Sequence, residues 1–191
     1  MELSKISYIG EKIKNAKEIK MTKLLKIEIL VTVISIILGT LLHFTYQWSN
    51  GNLFVAIFSA VNESVWEHLK LIFFPMLIVG IIEYFFVKNI TKNYLEAKTI
   101  GIFIAICFVV ISFFTYTGII GTNAFIIDIL IFIISIVLGE YIAYKLMKRK
   151  NESDIKTLVL SGIILLFLFS CFVLFAFVLF SCFSSSLELA F

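Results

Sequence analysis

The sequence predicts an all-α polytopic membrane bundle of about five transmembrane helices plus a short re-entrant or interfacial helix. Three observations carry this reading. Hydrophobic residues make up 61% of the 191-residue chain, charged residues only 15%, and mean hydropathy is +1.06; a soluble domain is nearer half apolar and a quarter charged. The apolar residues fall in continuous runs of helix-spanning length, not in the short alternating segments of a barrel. Lysines collect between alternate runs, as they do in membrane proteins.

The elements follow in order. Residues 1–22 form a basic segment with Leu3, Ile6, Ile9, Ile13, Ala16 and Ile19 at helical spacing and Lys5, Lys12, Lys14, Lys17 and Lys20 between them. That pattern suits an amphipathic helix on an anionic inner leaflet. Its many charges, and the length of the apolar run behind it, do not match a secretory signal. The transmembrane bundle occupies 23–183, with spans predicted at about 24–46, 64–87, 100–120, 124–144 and 157–183, and a short tail at 184–191. A turn at Ser49-Asn50-Gly51-Asn52 follows the first span. Residues 53–61 are apolar but reach only about 13 Å as a helix, too short to cross a core of about 30 Å. Pro75 lies within the second span and should kink it.

Orientation follows from the cations. Lys5, Lys12, Lys14, Lys17, Lys20, Lys23 and Lys26 precede the first span. Lys88, Lys92 and Lys98 lie between the second and third. Lys145, Lys148, Arg149, Lys150 and Lys156 lie between the fourth and fifth, leaving only Lys70 of the 16 for the other side. The protein is expected in the cell membrane, with its N-terminus cytoplasmic and its C-terminus extracytoplasmic. Its surroundings are the lipid bilayer, and no basic, aromatic-interleaved surface points to nucleic acid. Cys107, Cys171 and Cys182 all sit in apolar runs without the spacing of a disulfide framework or thiolate zinc site. The halves echo each other: Phe44-Thr45-Tyr46 and Phe114-Thr115-Tyr116 recur, as do Glu83-Tyr84 and Glu140-Tyr141.

The distinctive stretch is Ala60-Val61-Asn62-Glu63-Ser64-Val65-Trp66-Glu67-His68-Leu69-Lys70, at the outer start of the second span. Polar groups are expensive near hydrocarbon and usually face a bundle interior or wet cavity. One reading is purely structural. Ser64 and Glu67 form a capping box, with Ser64 accepting from the Glu67 amide and the Glu67 side chain returning to the Ser64 amide. Trp66 anchors the interface, and Lys70 covers that ring or pairs with Glu67.

The other reading is functional. His43 and Tyr46 at the end of the first span, Tyr116 at the end of the third, and Asp128 near the start of the fourth fall at the same depth as Asn62, Glu63, Glu67 and His68. These eight residues could line an outward polar pocket for a small solute or ion, needing no cofactor. An alternative is a membrane-embedded hydrolase holding zinc on His43, His68 and a carboxylate, Glu67 being the chosen one and Glu63 and Asp128 the others available. A third is an accessory subunit whose motif only caps and anchors. Enzymatic activity therefore stays open. A second acidic set, Glu28, Glu83 and Glu140, lies near the inner lysines and reads as snorkelling and ion pairing at the interface.

Residues 61–70, with Phe73-Phe74-Pro75, Leu42-His43-Phe44, Tyr46 and Tyr116-Thr117-Gly118, resemble the pattern of a family of small bacterial multi-span membrane proteins of unknown function. The resemblance covers roughly residues 28–150. It implies a multi-helix membrane fold and no particular activity. Members of that family end in a proline-containing segment, where this chain has Ser184-Ser185-Ser186-Leu187-Glu188-Leu189-Ala190-Phe191.

Overall fold

The computed structural model describes the backbone of residues 2–149 and 153–188 and the side chains of residues 8–149 and 153–176. These residues form helices α1 (Glu2–Trp48), α2 (Leu53–Ala56), α3 (Val65–Val87), α4 (Tyr94–Ile120), α5 (Phe125–Lys148) and α6 (Ile155–Glu188), and among them there is no strand. Five helices are long and apolar enough to cross a membrane: Tyr8–Trp48, Val65–Val87, Tyr94–Ile120, Phe125–Lys148 and Ile155–Ala176. The turn from α1 through α2 to α3 and the α4–α5 turn lie at one end, called here the motif end. The α3–α4 and α5–α6 connections lie at the other, the lysine end.

α1 runs without a break through Gly10, so the basic segment continues the first span instead of forming a separate element. Its 47 residues amount to about 70 Å of helix, more than twice a hydrocarbon core. Side chains 8–20 are all exposed; those of Leu3, Lys5 and Ile6 lie outside the described ones. α4 begins at Tyr94, a turn and a half before the expected start. Lys98, expected between the spans, lies inside this helix, where Glu83 and Glu140 pair with it. At the other end, α6 continues to Glu188, so residues 184–188 extend the last helix and 189–191 lie outside the described residues.

α1 packs on α3 and α5, α4 packs on α5, α3 and α6, and the apolar core sits around α3. Two close approaches set the spacing. Pro75 has no N–H to give to the Leu71 carbonyl one turn back. Gly39 of α1 lies directly over that carbonyl, where a Cβ would collide with it and stand 2.8 Å from Phe132 Cζ. A neighbouring helix thus covers the backbone group that the proline frees. Between α4 and α5, a Cβ on Gly101 would stand 2.6 Å from the Gly139 carbonyl oxygen, and one on Gly139 would stand 2.7 Å from that of Gly101. Small residues let these backbones approach, as is common in membrane helix pairs.

α6 is held by aromatic rings. Phe172, almost fully buried, sits 5.1 Å from Phe73 and 5.3 Å from Trp66 between ring centroids. Many large side chains face outward elsewhere, including Ile119, Phe125, Ile126, Leu166 and Phe167. This is the inside-out surface expected where lipid, not water, is the neighbour. Cys107 and Cys171 are free thiols. The Cys182 side chain lies outside the described ones.

Candidate functional site

Residues 49–64 build the motif end. Asn50 and Gly51 take positive φ to reverse the chain after α1. Asn52 caps α2, its Oδ1 accepting from Phe54 N at 2.8 Å. α2 is a single turn, because the chain then tucks inward. Ser59, fully buried, donates its hydroxyl to the Leu42 carbonyl and accepts from Tyr46 N at 3.0 Å. The Ser59 hydroxyl thus inserts between the Leu42 carbonyl and the Tyr46 N–H, which are four residues apart in α1, and stitches the segment to that helix.

Ser64 caps α3, accepting from Glu67 N at 3.3 Å. The reciprocal half of the expected box is not made by Glu67. Asn62 Oδ1 takes the Ser64 N–H at 3.0 Å, so the Asn62 side chain serves the cap. Glu67 instead turns into the core, where its Oε2 accepts from Val61 N at 2.8 Å and pairs with Lys70 Nζ at 2.7 Å. Lys70 also donates to the Ala56 carbonyl at 2.8 Å. Both side chains are 0% exposed. The pair is thus a buried clamp that fastens residues 56–61 to α3. It leaves Trp66 free to pack on Phe172 and Phe175, uncovered by Lys70.

The two histidines meet across the α1–α3 seam, with ring centroids 5.3 Å apart. Glu63, not Glu67, comes to them: one donor atom each from His43, Glu63 and His68 all lie within 4.8 Å of one another. His68 Nε2 is 3.4 Å from Glu63 Oε2, and the His68 and Glu63 side chains are 34% and 81% exposed. On the far side of the ring, His68 Nδ1 lies 2.9 Å from the Ser64 carbonyl oxygen. A carbonyl only accepts, so Nδ1 carries the hydrogen. Nε2 then faces the Glu63 carboxylate, as a lone pair in the neutral ring and as an N–H in the charged one. His43 Nδ1 is buried and has no hydrogen-bond partner.

The other expected pocket residues lie apart from this trio. Tyr116 donates to Asp128 across the α4–α5 turn, and the Tyr116 hydroxyl oxygen accepts from Ala124 N at 3.3 Å. Tyr46 closes the α1 turn, its carbonyl accepting from Gly51 N at 3.2 Å. The eight residues therefore form separate local groups. A cleft of about 390 Å³ between α1, α2 and α3 is lined by Leu38, Leu42, Thr45, Phe54, Val55, Phe58 and Ile78, none of them among the eight.

Toward the lysine end lies a second cluster, made of groups that look in the sequence like interface charges. Glu28, Glu83, Lys98 and Glu140 are buried from four different helices. Lys98 Nζ sits 2.7 Å from Glu83 Oε2 and also pairs with Glu140. Tyr94 donates its hydroxyl hydrogen toward the Gly80 carbonyl at 2.6 Å, with Glu83 Oε2 at 2.9 Å. Ion pairing was expected here, but snorkelling is absent: these groups point into the bundle. The available signal was the internal echo, since its two glutamates, Glu83 and Glu140, converge on Lys98.

The fold and these side chains define a multi-pass helical bundle of membrane type with ionisable groups built into both ends. The chain belongs to the family of unknown function DUF6512, which matches residues 14–184. No curated protein and no solved structure gives a match.

Proposed function

We propose that the protein binds a divalent transition-metal ion of the zinc type at His43, Glu63 and His68, on the extracytoplasmic side of the cell membrane. The observation that carries this reading is the His68 ring, bonded to a carbonyl through Nδ1 while Nε2 faces a carboxylate at 3.4 Å. Tetrahedral ligands at about 2.1 Å from zinc stand about 3.4 Å apart. A metal-bound histidine usually donates its other N–H to a carbonyl or carboxylate, the part Ser64 plays here. Two imidazoles and a carboxylate suit zinc and its neighbours better than magnesium or calcium. The sidedness rests on the lysine and arginine distribution.

Metal-dependent hydrolysis is the second reading, favoured by the open side of the trio. Three protein ligands leave a coordination position for a water, which a zinc ion makes acidic enough to attack at neutral pH. A general solute pocket finds less support, because the eight polar residues have separate partners.

The test is metal content and equilibrium zinc binding of the purified full-length protein. One zinc per chain is expected, lost in His43→Ala and His68→Ala and retained in Asp128→Asn. Wild-type protein that holds no zinc, cobalt or nickel at micromolar concentrations would remove the proposal. Hydrolytic turnover that follows metal loading would select the second reading.

A further inference from the structure

The cluster toward the lysine end has no part in that metal site. Glu28 comes from α1, Glu83 from α3, Tyr94 and Lys98 from α4, and Glu140 from α5. Glu83, Lys98 and Glu140 act on the Glu28 carboxyl, and Tyr94 joins them through its bond to Glu83. We propose that the cluster is an occluded proton-binding site, in which the carboxyl groups of Glu28 and Glu83 share one exchangeable proton.

The argument is a count of hydrogens and charges. Lys98 supplies one ammonium against three carboxyl groups, so full ionisation would leave two net negative charges in the bundle. Lys98 serves one oxygen each of Glu83 and Glu140, and the single hydroxyl hydrogen of Tyr94 is divided between Gly80 and Glu83. Four carboxyl oxygens then have no donor: both of Glu28, Oε1 of Glu83 and Oε1 of Glu140. Glu28 is decisive, because it is 3% exposed, has no N–H or O–H partner, and lies within hydrogen-bonding reach of the Glu83 carboxyl. Two carboxyl groups can bond each other only through a proton. An uncompensated buried charge is costly, and a proton is the smallest group that removes one.

The site is closed on both sides. Leu24, Val87, Ala97, Ala143 and Met147 form a buried apolar layer about one turn nearer the lysine end. Met76, Ile102, Ala105 and Ile136 fill the bundle toward the motif end. Beyond the first layer, Thr91 and Asn93 bond the carbonyls of Met147 and Leu146 and tie down the connection. The proton would come from water at the lysine end when this layer parts, and would leave a carboxylate there on release. The same α1–α3 seam carries both sites. Fifteen residues separate Glu28 from His43 on α1 and Glu83 from His68 on α3, about 22 Å along each axis. A shift of α1 against α3 would therefore alter both pairs together.

Infrared spectroscopy of the full-length protein in lipid nanodiscs reads the proton directly. The expected result is a protonated-carboxyl C=O band at neutral pH, shifted in D2O and worth about one group per chain. It should be lost in Glu28→Gln and in Glu83→Gln, and kept in Glu11→Gln. A glutamine side chain resembles a protonated glutamate in shape and charge, so Glu28→Gln should also keep its helical content and unfolding midpoint. Absence of the band in the wild type, or its survival in both variants, would mean that water alone fills the cluster and would overturn the proposal. Loss of the band on adding sodium at constant pH would identify a metal cation as the ligand and overturn it equally.

Discussion

Replacing Lys70 by methionine tests whether the Glu67–Lys70 clamp holds the motif end together. Both side chains are fully buried, and Glu67 Oε2 bridges Lys70 Nζ at 2.7 Å and Val61 N at 2.8 Å. Methionine fills nearly the same space but leaves Glu67 with a single backbone N–H and an unpaired charge in the core. Breaking one partner of a buried ion pair costs about 3–5 kcal/mol. Lys70→Met should therefore lose that much in equilibrium unfolding from mixed micelles. The double variant Lys70→Met/Glu67→Gln removes both charges, and the new amide oxygen can still accept from Val61 N. It loses chiefly the bond to the Ala56 carbonyl, for a cost of about 1–3 kcal/mol. The double variant is thus expected to be more stable than Lys70→Met alone, a sign of strong coupling between neighbours. A Lys70→Met cost below about 1 kcal/mol, or a double variant as unstable as the sum of the singles, would refute the clamp.

Gly39→Ala should destabilise by about 1–3 kcal/mol through overpacking against Leu71 and Phe132. Gly118→Ala, where a Cβ meets nothing within 4 Å, should be neutral or stabilising, and equal effects in the same unfolding assay would contradict the close approach. Phe172→Ala should cost about 3 kcal/mol, at the low end for phenylalanine because lipid offers the freed surface other apolar contacts. Limited proteolysis after α5 should then speed up, and unchanged cleavage would argue against the aromatic anchor. Glu63→Gln should weaken zinc binding at least about tenfold, equivalent to about 1.4 kcal/mol, while Glu67→Gln leaves it within a few-fold in isothermal titration. The reverse order would return Glu67 to the ligand set. A cysteine at Asn50 should react with an impermeant thiol reagent on intact cells and one at Asn89 should not, in a background lacking the native cysteines. The opposite labelling would invert the orientation.

Much of the helix arrangement was legible because the information is local. Whether a run is apolar enough to cross a membrane depends on its own residues, so five spans, a short extra helix and the turn at Asn50-Gly51 can be read directly. The Ser64 cap is equally local, since its hydroxyl needs only the amide three residues on. Even the meeting of His43 and His68 has a basis in sequence: antiparallel neighbours bring the end of one span beside the start of the next.

Partner choice was decided by the tertiary structure. Glu67 left its expected role because Lys70 lay on the buried side of α3 and the Val61 N–H, in the segment before the helix, came within reach, and a buried carboxylate binds the strongest donors it can reach. That freed the return half of the cap for Asn62 and left Glu63 as the carboxylate beside the histidines. Glu28, Glu83, Lys98 and Glu140 look individually like interface charges, and nothing in their spacing says that four helices turn them toward one point. Composition and apolar length determine that this chain forms membrane-type helices. The register between those helices, set by Gly39 over Leu71 and by Gly101 against Gly139, determines which charges meet, because an ionisable group in a bundle can only pair with what the packing brings within about 3 Å.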